Sequence, residues 1–409
     1  MKQQRQHHLD SLRGIAALIV VLTHYFAAFY PYTIFGIQGN YYQKSIWEDI
    51  VFFPPFGLLV AGHLAVCLFF ILSGYVLSYG FLGEIRRTDK IVSAVLKRPI
   101  RLGGLVLFTI IAGYCLWYSK AFFNTVVADL SGSKPWFSNC WKGELDFIHL
   151  IKDIVTSMFS HASIYNPPLW TMKIELYGSF FVFLFVGLFG RFKYRLLILL
   201  FLSAIFHRSL YLGFILGVIV ADIVKNHDIF FKLESNRYVS MFLFVFFLYL
   251  SSYPYYANSD FIKQTILYAL PIDKWLGHGY PMIAALTIFI LVKISSRIKK
   301  YLTHPILIFV GRVSYGLYAI HFLVLGSISS YLFSALYIHF GFGYHLSFLL
   351  VLITGFPTII LLAYLATIYI DDTAIKSASY LSDKALGFLN PGIFLNLKDL
   401  ITRHCTGRG

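Results

Sequence analysis

Residues 9–25 read LDSLRGIAALIVVLTHY, an apolar run in which Arg13 and His24 stand eleven residues apart with no charge between them. As a helix, this run returns the two side chains to about the same face after roughly three turns, with a rise of about 16 Å. One group then stands at a membrane edge and the other deep inside. An ionisable side chain at such depth is costly unless it faces a cavity or a partner, so the pair is a functional candidate.

The rest of the chain has the same character. Of 409 residues, 58% are hydrophobic, 19% aromatic and only 13% charged, against roughly 25% charged in soluble domains. Long apolar stretches recur, as at 241–250, 284–292 and 346–370. Strand alternation is absent, so helices must satisfy the backbone in lipid. The expected class is an all-α polytopic membrane protein with about ten transmembrane helices, near 12–30, 56–80, 102–119, 169–189, 195–207, 209–224, 238–252, 276–292, 306–337 and 346–370. The fifth and sixth are short, a helical pair or a re-entrant element whose joint loss leaves the remaining topology unchanged. Residues 1–370 are expected to form the membrane-embedded domain and 371–409 a cytoplasmic tail. The N-terminal run lacks a small-residue cleavage site, and the first span is expected to be retained.

Formal net charge is +15, from 34 basic and 19 acidic residues. The basic side chains cluster between apolar runs, at Arg86, Arg87, Lys90, Lys97, Arg98 and Arg101, at Arg191, Lys193 and Arg195, and at Lys293, Arg297, Lys299 and Lys300. That is the bias of cytoplasmic loops; it places both termini inside and accounts for the charge without nucleic acid. The stretch 120–168 then lies outside, with an amphipathic segment at 145–159 suited to a membrane interface. Trp136 and Trp141 are expected to be surface anchors, while Tyr253 to Tyr256 fit anchoring and sugar stacking equally. Cys67, Cys115, Cys140 and Cys405 have no metal or redox spacing, and neither a disulfide nor a metal is expected.

Four ionisable residues fall within spans: His24, His63, Glu175 and His321. A single membrane histidine can simply bond a carbonyl across a helix interface. Counted by depth, however, His24, Glu175 and His321 reach one layer from three helices. Lys173, two residues from Glu175, points to another face and snorkels outward. Arg98 and Arg101, in KRPIRL, share a helix face, with Pro99 suited to a first turn. They serve either charge bias alone or a phosphate clamp that Arg13 could complete. In FFILSGY, Gly74 permits close helix approach; Ser73 has no adjacent base, which makes it a weak nucleophile.

Taken together, these segments resemble the integral-membrane acyltransferase 3 family, which includes O-antigen and other surface-glycan O-acetyltransferases. The pieces are Leu9 to His24, Phe69 to Gly74, Arg98 to Arg101, Trp170 to Tyr177 around Glu175, and Gly311 to His321, in family order from Leu9 to about Ile370. The resemblance implies ten spans in a bacterial inner (cytoplasmic) membrane and an acyl-CoA donor, commonly acetyl-CoA, used from the cytoplasm. It implies an acceptor hydroxyl on lipopolysaccharide, peptidoglycan, another glycan or lipid-linked glycan, or a small molecule. By the same resemblance Arg13 and His24 are the first essential pair, Arg98 and Arg101 the cytoplasmic arginine motif and Glu175 the fourth-span acid, with Ser73 and His321 at further matching positions. Many members carry an acid near Cys67, and its absence here counts against a proton relay at that point. Some members add an extracytoplasmic esterase-like domain; without one, transfer is expected to finish within the membrane unit or with a separate partner.

On this resemblance the coenzyme's phosphates would stay at Arg98, Arg101 and Arg13, beside Tyr315, while a pantetheine arm of roughly 15–20 Å reaches toward His24. His24 would act as base with Glu175 orienting it, and His321, Ser73 or Tyr315 would stabilise the oxyanion. Direct attack and an acyl-histidine both fit. Glycan-assembly proteins and membrane lipids are the expected further partners. Two other readings stand beside this one. The first is a proton-coupled transporter of a glycosidic or anionic substrate with His24, Glu175 and His321 as its relay, although no inverted repeat is evident. The second is a noncatalytic scaffold in glycan export.

Overall fold

The run that carries Arg13 and His24 forms α1 (His7–Phe29), and the computed structural model describes residues 6–36, 41–83, 88–143, 145–160, 163–226, 236–253 and 272–388. Asp10 sits in the first turn of α1, where an acid complements the helix dipole. Pro31, one residue past the C-cap, stops further winding. The larger helices after it are α2 (Gly62–Tyr79), α3 (Thr88–Tyr118), α4 (Asn124–Ser131), α5 (Phe147–Thr156), α6 (Trp170–Phe189), α7 (Arg195–Ile205), α8 (Tyr211–Asn226), α9 (Arg237–Ser251), α10 (Gly279–Ile294), α11 (Ser296–Leu302), α12 (Pro305–Arg312), α13 (Ser314–Val324) and α14 (Tyr344–Ala366).

The described residues are helical and carry no strand. Among them six helices are long and apolar enough to cross a membrane, and up to seven if the pair α10 and α11, bent by 98°, is one span. This is fewer than the ten expected. The others fall short: α7 has 11 residues and α9 has 15, or about 17 and 23 Å of helix against a core of roughly 30 Å. The run at 306–337, read as one span, is broken at Val313 between α12 and α13. Pro99 is not in a first turn either. Helix α3 begins at Thr88, so Pro99 lies inside it. The last helix continues through a π turn, Thr367–Asp371, into Asp372–Phe388, so the chain stays helical across residue 370.

Close backbone crossings fix the arrangement. A Cβ on Gly14 of α1 would lie 2.6 Å from the backbone nitrogen of Gly311 of α12, so only glycine lets these helices touch. Gly74 meets the Phe214 backbone of α8 in the same way. Two buried clusters result. One joins α2, α6, α8 and α10; the other joins α1, α13, α14 and the loop from 122 to 141. Phe69, Trp117 and Tyr315 pack against both clusters, and the site lies along that seam.

The loop between α3 and α6 folds over one end of the bundle. Asp146 caps α5 through Ile148 N at 2.9 Å, and α5 turns Phe147, Ile148, Ile151 and Val155 outward, an apolar face of the kind that lies on a bilayer interface. Trp141 is not a surface anchor. It is 8% exposed, stacks on Phe122 at 3.8 Å between centroids, covers Gly326 and donates from Nε1 to the Tyr165 carbonyl at 3.0 Å. Its size is used to close the loop against α13, and nothing in the local sequence distinguishes that from anchoring.

Candidate active site

A cavity of about 610 Å³ opens at the end of the bundle opposite that loop. Its wall carries four arginines, Arg13, Arg98, Arg101 and Arg312, and four acids, Asp10, Glu175, Asp371 and Asp372. The crossing of Gly14 with Gly311 brings Arg13 beside Arg312. Helix α3 supplies Arg98 and Arg101 one turn apart.

Deeper in, Glu175 is 9% exposed and is held from two helices. Ser73 Oγ of α2 donates to its Oε1 at 2.7 Å, and the Arg98 guanidinium of α3 pairs with the same oxygen. Arg98 Nε also donates to Ser179 Oγ at 2.8 Å, and Ser179 donates on to the Glu175 carbonyl at 2.6 Å. These contacts bear on two expectations. Arg98 pairs with Glu175 and, with Arg101, also lines the cavity. Ser73 does have a carboxylate beside it, supplied from 102 positions along the chain, which inspection of its sequence neighbours could not reveal. Ser179 went unnoticed in the sequence, although its i+4 spacing from Glu175 puts both on one face.

The histidines meet elsewhere. His321 is fully buried, and its Nδ1 lies 2.8 Å from the Tyr318 carbonyl and 3.0 Å from that of Leu317. Those contacts require a hydrogen on Nδ1, which leaves Nε2 as an acceptor in the neutral ring. His321 Nε2 is 3.1 Å from His24 Nδ1, which also lies 2.9 Å from the Val20 carbonyl. The consistent assignment has His24 Nδ1 donating to both, so the lone pair of His24 rests on Nε2. Each ring thus makes the ordinary helix-carbonyl bond of a membrane histidine and also faces the other. Glu175 makes its contacts with Ser73 and Arg98 rather than with this pair.

Trp136 lies nearly parallel to the His24 ring, 6.1 Å between centroids, and Phe322 closes the edge at 5.3 Å. Trp136 therefore belongs to the histidine surroundings rather than to a surface belt. Cys140 is in the same aromatic cluster, and burial pushes its thiol up to about 12. It is no ready nucleophile. His63 pairs instead with His278 at 4.6 Å between ring centroids, away from both groups. Lys173 turns away from Glu175 and donates to the Ser160 carbonyl at 3.1 Å.

Tyr318 joins the two halves. Its ring lines the deep end of the cavity, its hydroxyl bonds Thr171 Oγ1 at 2.6 Å and the Pro168 carbonyl, and its own carbonyl receives His321. Neither His24 nor His321 is among the residues lining the cavity. Tyr315 lines it too, and its hydroxyl donates to the Leu102 carbonyl at 2.6 Å. Among the described residues no three His, Cys, Asp or Glu side chains converge as metal ligands would.

The chain is 26% identical over 351 residues to a putative O-acetyltransferase of Staphylococcus aureus (strain COL), covering 79% of this chain and 51% of that protein. It is 28% identical over 214 residues to an O-acetyltransferase of Phomopsis amygdali, covering 46% of this chain and 41% of the relative. The chain thus spans about half the length of the curated relatives it matches. No solved structure matches it. The acyltransferase domain of the acyltransferase 3 type matches residues 6–368, nearly the whole described bundle with both the arginine-lined cavity and the histidine pair, and the chain belongs to that family.

Proposed function

We propose that this chain transfers an acetyl or short acyl group from acyl-CoA to a hydroxyl of a cell-surface carbohydrate or glycolipid. The observation that carries the reading is Tyr318, one residue that walls an arginine-bearing cavity with its ring and orients an imidazole pair with its carbonyl. The guanidinium groups of Arg13, Arg101 and Arg312 suit the coenzyme's phosphates. The cavity lining runs from these arginines to Ser73 and Thr171, and the pantetheine arm would follow it.

In the transfer step the acceptor hydroxyl oxygen adds to the thioester carbonyl carbon while its proton passes to His24 Nε2. The tetrahedral intermediate then collapses with cleavage of the C–S bond. The imidazolium returns the proton to the departing thiolate, leaving an ester and free coenzyme thiol. His321 holds His24 in the required tautomer. Because the histidines lie behind Tyr318 and Thr171, the thioester reaches His24 only when that layer parts, which makes Tyr318 and Thr171 the gate. The flat face of Trp136 beside His24 suits a sugar ring on the acceptor side.

The test is purified protein supplied with labelled acetyl-CoA, together with mass spectrometry of surface glycans from cells with and without it. An acetyl-sized difference on one sugar, with matching release of coenzyme, is expected. Solute movement into liposomes without any thioester would replace this reading with transport. Acetyl-CoA turnover lost only when a partner protein is removed would favour the scaffold.

A further inference from the structure

Asp371 has no part in the transfer step, yet its surroundings are built. It ends the π turn Thr367–Asp371, is 8% exposed, and lines the cavity. Its Oδ1 is buried with no hydrogen-bond partner among the described residues. An unsatisfied buried acceptor is costly and rare, and calls for a reason. A π turn inserts an extra residue, re-aims the side chains after it and is frequent at functional sites. Here α13 presses on that turn: a Cβ on Gly316 would lie 2.6 Å from the Ala363 carbonyl and 3.0 Å from Thr367 Oγ1. The charge of Arg101 acts on Asp371 from across the cavity, while Arg312 and Asp372 pair with each other at 3.3 Å just beyond.

We infer that Asp371 is a binding residue that accepts a hydrogen bond from an N–H group of the acyl donor, next to the arginines that take its phosphates. A carboxylate repels phosphate, so its place among guanidinium groups marks a different part of the same ligand. The inference rests on the acyl-CoA reading. Coenzyme A offers such an N–H in two places, the amine of the adenine ring and the amides of the pantetheine arm.

The experiment titrates the purified full chain in nanodiscs with acetyl-CoA, adenosine 3′,5′-bisphosphate and S-acetyl-4′-phosphopantetheine. Asp371→Ala is expected to weaken acetyl-CoA binding by roughly ten- to a hundredfold. Asp371→Asn keeps a carbonyl acceptor without the charge and is expected to fall between. A loss carried by the bisphosphate identifies the adenine amine; a loss carried by the phosphopantetheine identifies an amide. Equal affinity of wild type and Asp371→Ala for acetyl-CoA overturns the inference, as does a fall in unfolding temperature with affinity unchanged, which makes Asp371 a counterion for Arg101. If Asp371→Ala does not fold, Asp371→Asn decides alone, with a loss of about threefold or more in support and none against. Wild-type protein that fails to bind acetyl-CoA at all removes the donor assignment itself, a result distinct from any effect of the variants.

Discussion

At the scale of single residues, the two ionisable constellations do different work and respond differently to substitution. His24 and His321 are coupled through one hydrogen bond, so their contributions should not add. His24→Ala is expected to lower kcat by about 10²- to 10⁴-fold with the protein still folded. The double variant His24→Ala/His321→Ala should be little worse than His24→Ala, because His321 acts only through its neighbour. Steady-state acetyl transfer on the three variants checks this; full additivity would mean that the rings act independently. Glu175 and Arg98 behave as a buried ion pair. Removing either partner strands a charge, and about 3–5 kcal/mol of stability should go with it. Replacing both with leucine is expected to recover most of that loss in thermal unfolding while leaving transfer impaired. Cys140 completes the set. Its thiol is pushed up to about 12 by burial, so at pH 7.5 only about one molecule in 10⁴ or fewer carries a thiolate, rising about tenfold per pH unit. Cys140→Ser should therefore keep near-normal transfer, and slow labelling by a thiol reagent should speed up with pH. Inactivation of that variant would point to an acyl-cysteine step instead.

Among whole elements, the decisive features are the helix crossings that bring distant segments together. Gly14 touches Gly311, and no residue of the candidate site is altered by changing it. Gly14→Val should nevertheless push α12 away from α1, cost about 1–3 kcal/mol by overpacking, and weaken acetyl-CoA binding because Arg13 and Arg312 lose their register. A variant that binds normally would mean that this crossing is not what sets the arginine geometry. The same crossings show how much was legible beforehand. Helical period and depth counting put His24 and His321 in one layer, and the two rings do meet at 3.1 Å, although the run that carries His321 is broken at Val313. The same counting did not reveal the partners of Glu175, because those depend on which way α6 is rotated against α2 and α3, and a rotation is set by packing rather than by spacing. Among the described residues fewer helices reach crossing length than there are apolar runs, for a related reason. Helices such as α7 and α9 are apolar because neighbours and lipid cover them, and apolar composition alone does not make a helix long enough to cross. Trp141 was opaque for its own reason: an interfacial tryptophan and one packed over a glycine have the same sequence neighbours.

For the molecule as a whole, the two groups of site residues lie toward opposite ends of the bundle, and the cavity is on the arginine side. The arginine-lined cavity is reached from the end where Arg13, Arg101 and Arg312 stand, whereas His24 lies toward the end covered by α4, α5 and Trp136. A donor and an acceptor that enter from opposite ends meet only across the layer of Tyr318 and Thr171. Vesicles of known orientation separate the two ends. With labelled acetyl-CoA confined to the face bearing Lys293, Arg297 and Lys299, and a glycan acceptor confined to the other, transfer should proceed. With the two reagents exchanged it should fall to background. Thr171→Val, which deletes the hydroxyl that ties Tyr318 down, removes one bond of roughly 1 kcal/mol from the closed layer. In the productive orientation it should leak free acetate by hydrolysis, because water then reaches the thioester before the acceptor does. Equal transfer from either face would show that both reagents use one opening, and the layer at Tyr318 would then be part of the scaffold rather than the gate.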